Sequence, residues 1–176
     1  DNDPAPLDAY MEPVAAAIGA ACRRTGMATP FIILEPGRSI VGPAGVTLYR
    51  VGGVKKIPGV RTYVSVDGGM FDNPRYALYQ SRYSFVIANK AALSPAGTVT
   101  VAGKCCETGD LLGEDIPLPQ AEPGDILAVL ATGAYNYSMA SNYNRNRRPP
   151  VVLVGGGEDR IIVRGETLED LVRCDV

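Results

Sequence analysis

The chain has 176 residues, enough for one domain with its own core or one domain plus part of another. Its 17 Lys and Arg against 19 Asp and Glu leave a net charge of −2, and Arg145, Arg147 and Arg148 form only a short basic cluster, so nucleic acid is not an expected partner. Histidine is absent, which excludes His-ligated metals and any triad or proton relay that needs an imidazole from this chain; no metal site is expected. The 20 Gly and 14 Pro call for many turns and favour a β-rich body.

Residues 1–7 read as linker. The start, Asp1-Asn2-Asp3-Pro4, has neither an initiator Met nor a basic stretch, so it is no signal peptide, and a piece trimmed from a longer chain is expected. Met11, Val14, Ala15, Ile18, Ala21 and Cys22 recur at helical spacing, predicting a helix over Leu7 to Thr25 that stops at Gly26. The near-apolar run Pro13 to Cys22 is about half of what a bilayer demands, so no membrane span is expected. Phe31-Ile32-Ile33-Leu34 is a continuous apolar run, which predicts a strand buried on both faces. A helix feeding such a strand, with polar Glu35-Pro36-Gly37-Arg38 at its end, has the form of the last unit of an α/β barrel.

Beyond that point the pattern changes. Strands are predicted at Val46–Val54, Thr62–Val66, Ser84–Ala88, Thr98–Val101, Ile126–Ala131, Val151–Val154 and Ile161–Val163, with Gly155-Gly156-Gly157 as a hairpin turn. Short helices are predicted near Asn73–Arg82, Ala134–Ser141 and Thr167–Arg173. The fold class is therefore mainly β with some α. Residues 1–36 read as the remnant of a (β/α)8 barrel, its last helix and strand, and 37–176 as a β-barrel or sandwich domain.

Several segments carry chemistry, each with a plainer alternative. Glu35-Pro36-Gly37-Arg38 is a turn with a solvated ion pair, or a site where Gly37 lets the backbone approach an anion that Arg38 grips. Asp67-Gly68-Gly69 after a strand is a bulge or turn; just beyond it, Arg75 and Tyr79 share one helix face and suit a carboxylate. Cys105-Cys106 is a buried structural pair, or, because Glu107 and Asp110 stand alongside, an exposed loop of usable thiols. No cysteine spacing fits zinc, and a reducing, cytoplasmic setting is expected. Tyr135 in Gly133-Ala134-Tyr135 is a core-edge tyrosine or a phenol offered at a strand end.

Taken in order, E-P-G-R-S-I-V (35–41), D-G-G-M-F-D-N-P-R-Y-A-L-Y (67–79), C-C-E-T-G-D (105–110) and G-A-Y (133–135) resemble the C-terminal half of the diaminopimelate decarboxylase family. That family belongs to the pyridoxal-phosphate decarboxylases with the alanine-racemase fold. The resemblance implies pyridoxal 5'-phosphate as cofactor, an amino-acid substrate, and conversion of meso-2,6-diaminopimelate to L-lysine and CO2. It implies that Glu35 pairs with the pyridinium nitrogen and that Gly37 and Arg38 contact the cofactor phosphate, with Arg38 also meeting a substrate carboxylate. Arg75 and Tyr79 would hold the substrate, Cys106 would be the catalytic proton donor, Glu107 would bind the distal ammonium, and Tyr135 would touch cofactor and substrate.

The resemblance further implies a homodimer in which the cysteine loop reaches the partner's site. The lysine that anchors the cofactor, the glycine-rich phosphate loop and a stacking histidine belong to the family's N-terminal barrel, which is missing. Lys55, Lys56, Lys90 and Lys104 match none of those motifs, so the 176 residues alone are expected to be inactive. Tyr76 and Tyr83 stand where some relatives have Pro and His. The alternatives are a related decarboxylase of arginine, ornithine or carboxynorspermidine, or a non-catalytic dimerising homologue.

Overall fold

Alanine-rich composition and helical apolar spacing produce α1, Leu7–Thr25, in the computed structural model, which describes residues 5–176. The helix ends where Gly26 takes φ 71°, a left-handed conformation open to glycine without Cβ strain, and Met27 N–H closes the turn on Cys22 O at 3.1 Å. None of its residues is buried. Residues 1–4 of the expected linker lie outside the described residues, and residues 5 and 6 have no regular structure. The expected strand Phe31–Leu34 does not form: the run carries no ladder pairing, and Phe31 is 92% exposed. An apolar run is a strand only when a neighbour accepts its backbone hydrogen bonds, and among the described residues none does. The chain divides into two units, one ending at Pro36 and the other running from Gly37 to Val176.

The second unit is built on β1 Val46–Ile57, β2 Arg61–Val66, β3 Phe85–Ile87, β4 Gly97–Ala102, β5 Leu111–Leu118 and β6 Ile126–Leu130. They form one sheet in the order β3-β6-β1-β2-β4-β5. Only β2 and β4 are parallel; the other neighbours are antiparallel. The two ends of this order approach each other, for a methyl added at Gly113 of β5 would lie 3.1 Å from the Phe85 ring of β3. The sheet is thus a nearly closed, barrel-like layer, which leaves little exposed strand edge. Its interior follows the period-two alternation of the strands: Tyr49 and Val51, Val64 and Val66, Phe85 and Ile87, and Leu127 and Val129 all point inward and are buried.

β5 is not legible from sequence, because Gly113, Asp115 and Pro117 interrupt its alternation. Asp115 adopts φ 54°, and the register with β4 slips twice. Pro117 is tolerated because β5 stands at one end of the order. β7 Val151–Gly155 and β8 Glu158–Val163 form a separate hairpin, turned by Gly156 (φ 61°) and Gly157 (φ 83°). The remaining helices are short: α2 Arg38–Val41, α3 Arg75–Tyr79 and α4 Leu168–Val172, the last closed by a capping box between Thr167 and Asp170. The helix expected near Ala134–Ser141 shrinks to a single 3-10 turn, Tyr137–Met139.

Strand direction positions the site. β2, β4 and β6 run the same way and β1 runs against them, so the loops that leave β2, β4 and β6 emerge at the end of the sheet where β1 begins. Leu127 sits at the centre of this interior with no exposed surface, whereas Leu48 on the other face of β1 is 63% exposed. Leu127→Ala should therefore cost about 2–5 kcal/mol of stability in urea denaturation, and Leu48→Ala within about 0.5 kcal/mol of none. Equal losses would mean that the register is wrong.

Candidate functional site

Gly37 caps the start of α2, which carries Arg38 just before β1, while Tyr135 follows β6. Backbone proximity ties these two segments together. Gly133 N–H donates to Gly42 O at 3.0 Å, and Thr132 N–H donates to Gly45 O at 2.9 Å. A Cβ on Gly133 would lie 1.8 Å from Val41 O, and one on Gly45 would lie 2.2 Å from the Gly133 Cα. Only glycine permits this approach. Tyr135 then adopts φ 61°, a strained value for a side chain of its size. Its hydroxyl presses on the Gly37 backbone, where a Cβ would meet it at 2.8 Å.

The Tyr135 ring is the meeting point of two cations. Arg38 Cζ lies 5.5 Å from its centroid and Arg75 Cζ 5.7 Å, while Arg75 also lies 5.3 Å from the Tyr79 ring on the same face of α3. Among the described residues Arg38 donates only to Ala134 O at 3.4 Å, and Arg75 donates to Ser81 Oγ at 3.4 Å. Within Gly37–Val176 neither guanidinium is paired with a carboxylate, and Arg75 Nε is buried without an acceptor. Two guanidinium groups without a carboxylate partner around one phenol can receive an anion by charge and by hydrogen-bond geometry.

The cysteine loop leaves β4 beside the loop that leaves β2, with Lys104 N–H donating to Gly68 O at 3.0 Å. Asp110 fastens both. Its carboxylate accepts from Met70 N–H and Cys105 N–H, each at 2.6 Å, and it is 3% exposed. Proximity of Asp110 to Glu107 in sequence suggested a solvated acid; the structure corrects that reading, because these backbone donors satisfy the buried carboxylate. The two thiols differ in environment. Cys105 is half-buried and receives Asn146 Nδ2 at 3.6 Å; burial, with the charge of Asp110 adding, pushes its thiol up to about 11. Cys106 and Glu107 are exposed, with Cys106 N–H bonded to Asn144 Oδ1 at 2.8 Å and Glu107 accepting the Tyr143 hydroxyl at 3.2 Å. The structure thus combines the two readings of the pair, with Cys105 partly enclosed and Cys106 accessible.

The predicted residues therefore fall into a guanidinium–phenol group (Gly37, Arg38, Arg75, Tyr79, Tyr135) and a thiol–carboxylate loop (Cys106, Glu107). Glu35 lies in the first unit and is exposed. Tyr143 and Asn144 carry no sequence signal, and Asp72 has no role assigned to it within the 67–79 motif. Asp72 lines an open cleft of about 600 Å³ together with Lys104, Arg147 and Glu166. Its carboxylate accepts the Tyr49 hydroxyl at 2.6 Å, and burial raises it to about 6, against the opposing effect of that bond. Glu166, gripped by Arg148, moves the opposite way, to about 2. Among the described residues no group of three or more Cys, Asp or Glu is placed to hold a metal ion, and no helix is long and apolar enough to cross a membrane.

Residues 16–133 match the family described as pyridoxal-dependent decarboxylase, C-terminal sheet domain. The chain belongs to this family. Within it, the diaminopimelate decarboxylase of Synechocystis sp. is 53% identical over 99% of this chain and 37% of its own length. That of Bacillus subtilis is 52% identical over 100% of this chain and 40% of its own length. The crystal structure of diaminopimelate decarboxylase from Helicobacter pylori complexed with L-lysine superposes with a TM-score of 0.82 at 33% identity, covering 98% of this chain and 40% of that one. The chain thus spans about two fifths of the length of the curated relatives it matches, and it supplies the family's sheet domain.

Asp72 yields a pH test. A carboxyl raised from the ordinary Asp value to about 6 binds its proton more tightly in the folded chain than in the unfolded one. Its contribution to stability is best below about pH 4, falls as the pH rises to about 6, and is flat above that. Asp72→Asn keeps an acceptor for Tyr49 and removes the titration. The difference in urea midpoint between the parent chain and this variant should shift against the parent across that window; a constant difference would exclude the effect.

Proposed function

We propose that the chain is the C-terminal part of a pyridoxal-phosphate-dependent diaminopimelate decarboxylase, a carboxy-lyase that converts meso-2,6-diaminopimelate to L-lysine and CO2. One observation carries this reading: Arg38 and Arg75 converge on Tyr135 without a carboxylate between them, and Arg75 Nε is buried with no acceptor. A phosphate and a substrate carboxylate are the anions that such a pair fits. The absence of a Cβ on Gly37 is what admits the Tyr135 hydroxyl beside Arg38, so the phenol and the guanidinium line the same pocket.

The cofactor, when bound, supplies a sink for the electron pair released as CO2 departs. The residues of this chain do the rest. Gly37 and Arg38 hold the cofactor phosphate, and Arg38 and Arg75 take carboxylates. Tyr79 and Tyr135 wall the pocket, Tyr135 against both cofactor and substrate. Glu35 keeps the pyridinium nitrogen protonated. Glu107 receives the distal ammonium. Cys106 Sγ–H gives its proton to the substrate carbon that CO2 has vacated, which completes the exchange of a carboxylate for a hydrogen. Arg75 selects a substrate with a second carboxylate, which lysine and ornithine lack.

On this proposal, residues 1–36 belong to the N-terminal barrel and 37–176 form the C-terminal β domain. The barrel supplies the cofactor's lysine, and the enzyme works in the cytoplasm as a homodimer whose Cys106 loop serves the partner's site. The two incomplete groups support that arrangement, one cationic and one carrying thiol and carboxylate.

In the complete enzyme, Cys106→Ala should lower kcat about 10²-fold while the cofactor absorbance is retained; equal loss of cofactor would give Cys106 another role. Arg75→Ala should raise KM for diaminopimelate about tenfold, and unchanged kinetics would remove it from the pocket. The 176 residues alone should release no CO2 from diaminopimelate with added pyridoxal phosphate, and measurable release would refute the assignment of the lysine to the barrel.

A further inference from the structure

The segment after the Tyr137–Met139 turn lies along the cysteine loop and contacts it residue by residue. Asn146 Nδ2 reaches Cys105 Sγ at 3.6 Å, Asn144 Oδ1 accepts Cys106 N–H at 2.8 Å, and the Tyr143 hydroxyl donates to Glu107 at 3.2 Å. Nothing in simple packing requires the side chains at 143, 144 and 146 to contact three successive loop residues. The backbone is bent to make them, since Asn144 (φ 53°) and Arg145 (φ 56°) are both left-handed without being glycine.

The turn is itself anchored on its far side. Arg145 donates to Asp175 at 2.9 Å and to Leu171 O at 3.1 Å, and Asn142 donates to Glu166. These bonds run to α4 and to the residues flanking it, so the C-terminal end of the chain holds the turn and the turn holds the loop. By contrast, Asp110 holds the loop backbone, its carboxylate through Cys105 N–H and its own N–H through Glu107 O, and leaves the Cys106 N–H and one oxygen of the Glu107 carboxylate to this second support.

We propose that residues 142–146 are a positioning clamp for the decarboxylation site, with Tyr143 aiming the Glu107 carboxylate at the substrate ammonium and Asn144 fixing the backbone that carries the Cys106 thiol. The inference rests on the function proposed above and deepens it. Tyr143 and Asn144 act through the residues they hold. Removal of the phenol hydroxyl leaves the Glu107 carboxylate held by Gly109 N–H alone, loosens its aim and weakens substrate binding. Removal of the Asn144 amide frees the Cys106 backbone and slows protonation.

The test uses the complete, cofactor-loaded enzyme. Tyr143→Phe should raise KM for diaminopimelate about five- to tenfold with kcat within about twofold, because a hydrogen bond to a charged group is lost. The same change should have no further effect in a Glu107→Gln background. Asn144→Ala should lower kcat about tenfold with KM nearly constant, and Asn144→Asp, which keeps the acceptor, should restore most of it. As a readout independent of turnover, iodoacetamide labelling mapped by mass spectrometry should proceed several-fold faster at Cys105 in Asn146→Ala, which removes the amide that reaches its sulfur, than in the parent, while urea midpoints of the two remain close. Unchanged KM in Tyr143→Phe, an equal effect in the Glu107→Gln background, or labelling identical to the parent overturns the clamp. If Glu107→Gln alone leaves KM unchanged, it is the assignment of Glu107 to the ammonium that fails.

Discussion

Everything at the candidate site depends on strand polarity. β2, β4 and β6 point one way and β1 the other, so one end of the sheet receives the start of β1 and the loops after the other three. Four segments dispersed over about a hundred residues meet there because the ladder leaves them no other place. The only parallel pairing in the sheet, β2 with β4, does most to achieve this. An antiparallel β4 would send the cysteine loop to the opposite end, far from the Gly68 carbonyl that Lys104 N–H now reaches. The parallel pair needs a long crossover, and the chain fills it with α3 and β3, so that Arg75 and Tyr79 ride on the connection itself.

Side chains are then set by backbone contacts too close for any residue but glycine, and by buried acids. Gly133 against Val41 and Gly45 brings the Tyr135 turn onto the Arg38 turn. Asp110 does the corresponding work on the other loops, where Cβ atoms at Gly69 and Gly103 would each collide with its carboxylate. The charged groups show a division of labour. Acids that fasten loops, such as Asp110 and Glu166, are consumed by donors, whereas Arg38 and Arg75 are left without carboxylate partners. Leaving two cations without a carboxylate partner is unfavourable, and under the proposed function an entering anion relieves it.

Much of this was legible in the amino-acid order. The β-rich second unit followed from short alternating runs and glycine–proline punctuation, and α1 from its 3.6-residue spacing. Arg38, Arg75, Tyr79 and Tyr135 stand out on the order of motifs, and the fold brings Arg38 and Arg75 to the Tyr135 ring and Arg75 to that of Tyr79. What could not be read depends on partners remote in sequence. Phe31–Leu34 has a strand's composition but no ladder neighbour. β5 has neighbours but an interrupted pattern, because Phe85 fills the space over Gly113 in place of a side chain. Asp110 resembles a solvated acid until Met70, forty positions earlier, is seen to donate to it. Tyr143 and Asn144 sit in a polar stretch with no periodicity, and only the fold shows what they touch.

The two groups of site residues carry opposite chemistry, and that separation bears on how a zwitterionic substrate would be held under the proposed function. Were Glu107 placed beside Arg38 and Arg75, the three would form an ion pair with one another and lose their affinity for ligand. Instead the Glu107 carboxylate is satisfied by a neutral phenol and a backbone amide, which hold it in place without cancelling its charge. The same logic explains the pairing of a half-buried Cys105 with an exposed Cys106. Burial and the charge of Asp110 keep the first thiol protonated and inert, so it anchors the loop on Asn146, while the second is carried outward on a backbone bonded to Asn144. A loop made in this way presents one acid and one thiol at a defined spacing, and neither is spent on the fold.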